Sequence, residues 1–314
     1  MIAQIFDIIA PVFLLIAAGA GAVKLGWFSD ASVDGMMSFA LKFAAPTLLF
    51  LSVSKLDLGQ AFQWSLMLSF YIAATVNFFL AILLARLVFK RRPGEAVSMA
   101  FGALFSNALL LGLPISERAF GTAALATNIA LLSVHAPFCY LLGISSIEIL
   151  RRDKQSVIHT VRIIGIAMFR NPLMIGIGLG FVVNLAGITL PGPMLSTIDM
   201  LAHTTLPVAL FAIGGTLTRY RLADSMMESL SIAGMKLILH PTLVYLLATR
   251  VFDLETQVMR NAVLMAAMAP GVNAFVFASM YGRSKGVAAS TILLATTASV
   301  FTAAGWIWFL GAGP

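Results

Sequence analysis

Charge is scarce in this chain, and cysteine is almost absent. Asp, Glu, Lys and Arg together make up 11% of its 314 residues, where soluble proteins carry about 25%. The single cysteine, Cys139, excludes a disulfide framework and a cysteine-based metal site. No His-Glu-x-x-His run occurs, and the four histidines, His135, His159, His203 and His240, lie far apart with few acids nearby. This weighs against a zinc hydrolase or another intramembrane enzyme, and no metal or cofactor is expected. No Lys or Arg precedes Lys24. The opening apolar stretch therefore lacks the basic start of a secretory leader and reads as a retained membrane span. The 13 acidic residues are outnumbered by 20 basic ones, for a net charge of +7. The basic residues fall mostly in short segments between apolar runs, so they imply no nucleic-acid partner.

What the chain has in excess is hydrocarbon: 60% of its residues are hydrophobic. Runs of about 20 apolar residues, enough to cross ~30 Å of membrane interior, recur ten times. They lie near 5–25, 33–54, 62–87, 95–119, 123–149, 166–188, 194–217, 229–250, 256–281 and 286–310. The fold class is an all-α polytopic membrane protein with ten transmembrane helices. Lys and Arg mark cytoplasmic loops. With the N-terminus outside, 14 of the 20 basic residues fall on the inner side, and Lys55, Arg118, Arg250 and Arg260 fall on the outer. Both termini are expected outside, with the hydrophilic loop 151–165 in the cytoplasm.

The pattern repeats at a constant offset of 161 residues. Pro11 falls on Pro172, Gly19 on Gly180, Gly26 on Gly187, Pro46 on Pro207, Phe50 on Phe211, Leu56 on Leu217 and Gly121 on Gly282, without a gap. Five spans per copy is an odd number, so the second copy enters from the opposite side. That is a 5+5 inverted-topology repeat, as in many secondary carriers. Spans 4 and 9 are equivalent under it, and both carry helix breakers at mid-membrane: Gly112 and Pro114 in the first, Pro270 and Gly271 in the second. Backbone groups freed by such breaks are costly in hydrocarbon unless protein, water or ligand satisfies them. The two broken helices are expected to cross near the midplane and line a substrate site.

Each break creates a helix N-terminus with unpaired N–H groups and about half a positive charge, suited to a carboxylate. Asn107 and Asn273 stand at the breaks, as anion ligands or as helix caps. Lys42 and His203 are repeat mates, each four residues before its span's proline. Lys42 either attracts the anion or snorkels to the surface. His203, with Asp199 one turn earlier, is the candidate for proton coupling. The candidate substrate-binding residues are thus Asn107, Gly112, Pro114, Pro270, Gly271, Asn273, Lys42 and His203. His135, His240, Asn77 and Asn128 read more simply as polar ties between helices, and Lys236 as a snorkelling lysine. The runs Ala17–Gly21 and Gly176–Gly180 allow close helix approach, within the chain or at a dimer seam.

Several of these segments carry a likeness to a known family. They are Ser106-Asn107 through Gly112-Leu113-Pro114, Ala269-Pro270-Gly271-Val272-Asn273-Ala274, and the Leu48-Leu49-Phe50 and Ala209-Leu210-Phe211 stretches after Pro46 and Pro207. Over nearly its whole length the chain resembles the auxin efflux carrier family, which includes plant exporters and bacterial malonate-type transporters. It lacks the long central cytoplasmic loop of the plant exporters. The resemblance implies a scaffold of residues 1–60 and 166–220, holding spans 1, 2, 6 and 7 and often forming a homodimer. It implies a core of residues 61–150 and 221–314 that moves in an elevator-like step. It further implies a secondary transporter of small organic anions, malonate or a similar carboxylate, in the lipid of a bacterial inner membrane. A proton or sodium would be the coupling ion. The alternatives are a sodium-coupled bile-acid-type symporter of the same crossed-helix fold and a pore-type channel. Sodium needs several oxygen ligands, and the core spans offer almost no buried acid, which favours a proton or facilitated transport.

The charge pattern predicts that a cysteine placed at Ser156, in a Cys139→Ser background, resists membrane-impermeant thiol reagents in intact cells. Labelling from outside would invert the orientation.

Overall fold

A computed structural model describes residues 2–151, 171–220 and 225–311. The basic loop expected at 151–165 lies outside these residues, apart from Arg151 at its edge. Regular structure among the described residues is entirely helical. Seven helices are long and apolar enough to cross a membrane. They are α1 (Ile2–Lys24), α2 (Asp30–Ser54), α3 (Trp64–Leu87), α6 (Ala124–Arg151), α8 (Gly192–Leu217), α9 (Met226–Arg250) and α12 (Lys285–Leu310). A shorter apolar helix, α7 (Pro172–Leu185), follows α6. The stretches 93–120 and 256–280 are helical in pieces: α4 (Pro93–Leu104) and α5 (Leu113–Phe120), then α10 (Thr256–Ala266) and α11 (Asn273–Met280).

Local chemistry sets several of these ends. Ser29 caps α2, its hydroxyl accepting from the Ser32 N–H at 3.1 Å, one of the donors a helix start leaves unpaired. The Asn171 side chain does the same for α7 at Leu173 N, 2.9 Å. Pro93 opens α4 at a position where its missing N–H costs nothing, and the Glu95 carboxylate accepts from Arg92 N at 3.1 Å. Gly26, Gly187, Gly121 and Gly282 all have positive φ, between 61° and 78°. They close their helices where a Cβ would be strained, and they fall into two pairs at the 161-residue offset.

The chain divides into two compact units. The smaller comprises residues 10–61 and 162–219. Its helices approach backbone to backbone. A Cβ at Gly19 would collide with the Phe211 carbonyl, and one at Gly214 with the Ile16 carbonyl. A Cβ at Gly180 would stand 2.8 Å from the Phe50 carbonyl oxygen. Gly19 with Phe211 and Gly180 with Phe50 are the same contact made twice, once from each copy of the pattern. Asn184 Nδ2 donates to the carbonyls of Val53, Ser54 and Leu56 at 2.8–3.1 Å, covering the end of α2. Arg219 clamps the start of α2 through Asp30 Oδ1 at 2.9 Å and Asp34 Oδ1 at 2.7 Å.

The larger unit comprises residues 1–9, 62–161 and 220–314. Phe101 of α4 and Phe277 of α11 stack with centroids 3.9 Å apart and planes 1° from parallel. Phe70, Phe78 and Leu66 of α3 are fully buried. At one edge Arg91 forms a bidentate pair with Glu228, Nε–Oε1 2.9 Å and Nη2–Oε2 3.0 Å. The Glu228 hydrogen bond raises Arg91 above its ordinary range, so the guanidinium stays charged at any physiological pH.

Two glycines on one helix test the close packing. Gly176 faces the Pro46 carbonyl, while Gly178 faces open space. Gly176→Ala is expected to cost about 1–3 kcal/mol through overpacking. Gly178→Ala is expected to be neutral or slightly stabilising, by less than about 1 kcal/mol. Thermal melting of the detergent-solubilised protein reads both.

Candidate functional site: a paired helix interruption over a buried lysine

In the larger unit the chain leaves α4 at Leu104 and turns extended at Phe105, φ −82° and ψ 113°. Ser106 then pairs with Pro270 in an isolated antiparallel bridge. Pro270 has no N–H to give, and the pairing is carried by Asn107 N–H donating to Ala269 O at 2.8 Å. The Asn107 carbonyl accepts from Leu111 and Gly112, both at 3.1 Å. A π-helical turn over Ala108–Gly112 so leads into α5, with Pro114 in its first turn. The second interruption runs from the end of α10 at Ala266 to the start of α11 at Asn273. A Cβ at Gly112 would lie 2.6 Å from Met265 Sδ, so the flexible end of that methionine would have to shift to admit it. At Gly271 the nearest neighbours, Asn107 Cα and Cβ, stand at an ordinary 3.6 Å.

The two asparagines do not cap their helices. No side-chain bond closes either the Ala108–Gly112 turn or the start of α11. Asn107 is half-buried, and its side chain makes no hydrogen bond among the described residues. Asn273 Oδ1 accepts from Tyr140 Oη at 3.3 Å. Their amides are thus left for something other than the helix ends.

Directly behind Ser106 lies a buried polar cluster, and here the snorkelling expected of Lys236 is overturned. The side chain is fully buried. Nζ donates to Ser106 Oγ at 2.5 Å and to Ala266 O at 2.8 Å, and it lies 2.7 Å from His240 Nδ1. A π-helical turn over Met235–Leu239 in α9 holds Lys236 one turn before His240. On the other side, Ser106 N–H donates to His135 Nε2 at 3.1 Å. That bond makes Nε2 the acceptor and puts the ring proton on Nδ1, 3.8 Å from Cys139 Sγ. Phe70 and Phe105 pack on the His135 ring with centroids 5.9 and 5.0 Å away, and Phe70 also meets His240 at 5.4 Å.

These contacts sort the helix ends by sign. The last carbonyls of a helix carry partial negative charge. Near the end of α10 the Ala266 carbonyl receives the Lys236 ammonium, and near the end of α4 the Ala103 carbonyl receives Asn77 Nδ2 at 2.9 Å. Asn77 is therefore a polar tie, as its position implied. The opposite ends, the starts of α5 and α11, hold the partial positive charge that favours an anion. Asn128 is fully buried with neither amide atom partnered, and nothing in the structure explains it.

Asn107, Gly112, Pro114, Pro270, Gly271 and Asn273 all belong to this unit. Lys42, His203 and Asp199 belong to the other. Lys42 sits in a π-helical turn and is exposed. The His203 side chain is 77% exposed, with Nδ1 2.8 Å from Asp199 O and 3.3 Å from Asp199 Oδ2. Sequence reasoning passed over Ser106, Tyr140 and the placement of Lys236. The signal was the spacing: Lys236 and His240 lie four apart at mid-span, with His240 before a proline. A snorkelling lysine has no need of such a partner.

An all-helical chain rich in membrane-length segments, with a polar interruption at its buried centre, is a membrane protein of the transporter class. The family described as Membrane transport protein matches residues 4–307, and the chain belongs to that family, as the likeness to auxin efflux carriers implied. A protein of Rhizobium meliloti (strain 1021), named "Putative malonate transporter", is 26% identical over 316 residues, covering 99% of this chain and 97% of its own. An uncharacterised transporter of Methanocaldococcus jannaschii is 23% identical over 321 residues, covering 97% and 98%. The chain is an integral membrane transporter.

Proposed function

We propose that the chain is a secondary carrier of small organic anions, malonate or a similar carboxylate, bound where spans 4 and 9 cross. Span 4 is α4 with α5, and span 9 is α10 with α11. The observation that carries this reading is the pairing of Ser106–Asn107 with Ala269–Pro270. It brings together the interruptions from which α5 and α11 start, beside an Asn107 side chain that no helix uses. The relative's name supplies malonate as the first anion to test. Sodium coupling is the less favoured reading, because the Ala266 carbonyl, an oxygen such an ion would seek, already accepts from Lys236.

The reading includes ten spans in a 5+5 inverted repeat, with both termini outside. The paired positive-φ glycines and the reciprocal Gly19–Phe211 and Gly180–Phe50 approaches support the repeat. So does the register of the interruption: Asn107 pairs with Ala269, one residue beyond Met268, its own mate at the 161-residue offset. The unit of residues 10–61 and 162–219 takes the part of a scaffold that forms a homodimer. The other takes the part of the transport core, moving in an elevator-like step that gives alternating access. Lys42 and His203 are the charged flank carried by the scaffold, with Asp199 paired to His203.

Uptake of labelled malonate into proteoliposomes, under imposed proton and sodium gradients in turn, tests the function. Asn107→Ala and Asn273→Ala are each expected to lower uptake at least tenfold at unchanged expression and melting temperature. Normal uptake by both variants would assign the interruption a purely structural part. His203→Gln is expected to flatten the pH dependence of uptake between about pH 5 and 8. Lys42→Met is expected to weaken malonate binding at every pH. Two unchanged profiles would remove the charged flank from the mechanism.

A further inference from the structure

We propose that Lys236 takes up a proton together with the anion, so that substrate and proton bind as a pair. This rests on reading the crossing as an anion site. An ammonium offers three hydrogens, and Lys236 Nζ has three acceptors around it: Ser106 Oγ, Ala266 O and His240 Nδ1. His240 accepts at Nδ1 and so carries its proton on Nε2. His135 accepts at Nε2 from the Ser106 N–H and is likewise neutral. With Lys236 protonated, the cluster holds one positive charge, on Nζ.

Among the described residues no carboxylate contacts Lys236 to balance that charge. The titratable groups facing it are His240 on its own helix, His135 and Cys139 on α6, and Tyr71 on α3, which packs on His135 with centroids 6.3 Å apart. The ion pairs among the described residues lie elsewhere: Arg91 with Glu228, His203 with Asp199, and Arg219 with Asp30 and Asp34. A buried charge without a counterion is costly. Lys236 bonds to Ser106, the residue next to Asn107, so an anion held by the Asn107 amide and the start of α5 supplies the missing negative charge. Removing the proton from Nζ leaves two hydrogens for Ser106 Oγ and Ala266 O and a lone pair that accepts from His240 Nδ1–H in the other neutral tautomer, so the neutral cluster is satisfied without the cost of an unpaired charge. The empty site is thus drawn to release the proton and the loaded site to keep it. Coupling of this kind is reciprocal: the anion tightens the proton by the factor by which the proton tightens the anion. The proton comes from water on the side where the anion enters and leaves with it on the other.

Calorimetric titration of the purified full chain with malonate, in buffers of differing ionisation enthalpy, counts the protons taken up. Between about pH 7 and 9, above the range of ordinary carboxylates, wild type is expected to take up close to one proton per malonate. Its Kd is expected to rise by up to about tenfold per pH unit once Lys236 is unprotonated in the empty site. Lys236→Arg, with a permanent charge, is expected to bind at an affinity independent of pH and without uptake. Lys236→Met is expected to bind at least tenfold more weakly, again without uptake. Malonate binding by wild type with no uptake anywhere in that range overturns the proposal. So does uptake that persists in either variant, or that is lost in His203→Gln and kept in Lys236→Arg. Wild-type protein that binds neither malonate nor other small carboxylates fails differently: it removes the anion site itself, and this inference with it.

Discussion

A backbone that leaves the helix inside a membrane must find its hydrogen bonds within the protein, and the centre of this one is built around that demand. The segments 105–107 and 267–272 break two helical stretches in the larger unit. Asn107 N–H is satisfied by Ala269 O, the Ser106 N–H by His135, and the Ala266 carbonyl by Lys236. Each bond brings a further group to the spot. The interruption of one stretch is thus satisfied by the other, and by two polar side chains, His135 and Lys236, that are themselves buried. An unsatisfied amide in such surroundings costs far more than a hydrogen bond gains. The polar residues around the interruption follow from it.

The same centre is asymmetric in charge. Its ligands to helix ends are a neutral amide at Ala103 and an ammonium at Ala266. Aromatic rings close over the histidines, and the Phe101–Phe277 stack ties the helix before one interruption to the helix after the other. Low polarity around an ammonium strengthens both its hydrogen bonds and its want of a counterion. For a carrier of anions this is a useful tension, because the solute relieves it.

Much of this was legible in the sequence. Apolar run lengths located the helices, because the thickness of hydrocarbon fixes how many residues a span needs. Pro270 and Gly271 marked where the backbone leaves the second helical stretch, because proline and glycine fail there for local reasons, but Gly112 and Pro114 lie in the helical stretch that follows the first break at 105–107. Side-chain burial was less accessible. Lys42 and Lys236 are both lysines in mid-span, yet one is exposed and the other fully enclosed. Which of them a helix turns inward depends on neighbours far away in sequence, here Ser106 and Ala266. Capping by Asn107 and Asn273 was a fair local expectation, but the tertiary pairing satisfied the backbone first.

Lys236 has one more consequence. At the 161-residue offset its counterpart is Thr75, whose hydroxyl is spent on the Tyr71 carbonyl in its own helix. In an inverted repeat, the inward-facing and outward-facing forms arise when the two halves exchange conformations, and identical halves would make those forms equal in energy. A charge present in one half only breaks the tie. On the proposed reading of the two halves as an inverted repeat, Lys236 in one copy against Thr75 in the other would make the resting carrier favour one side of the membrane over the other.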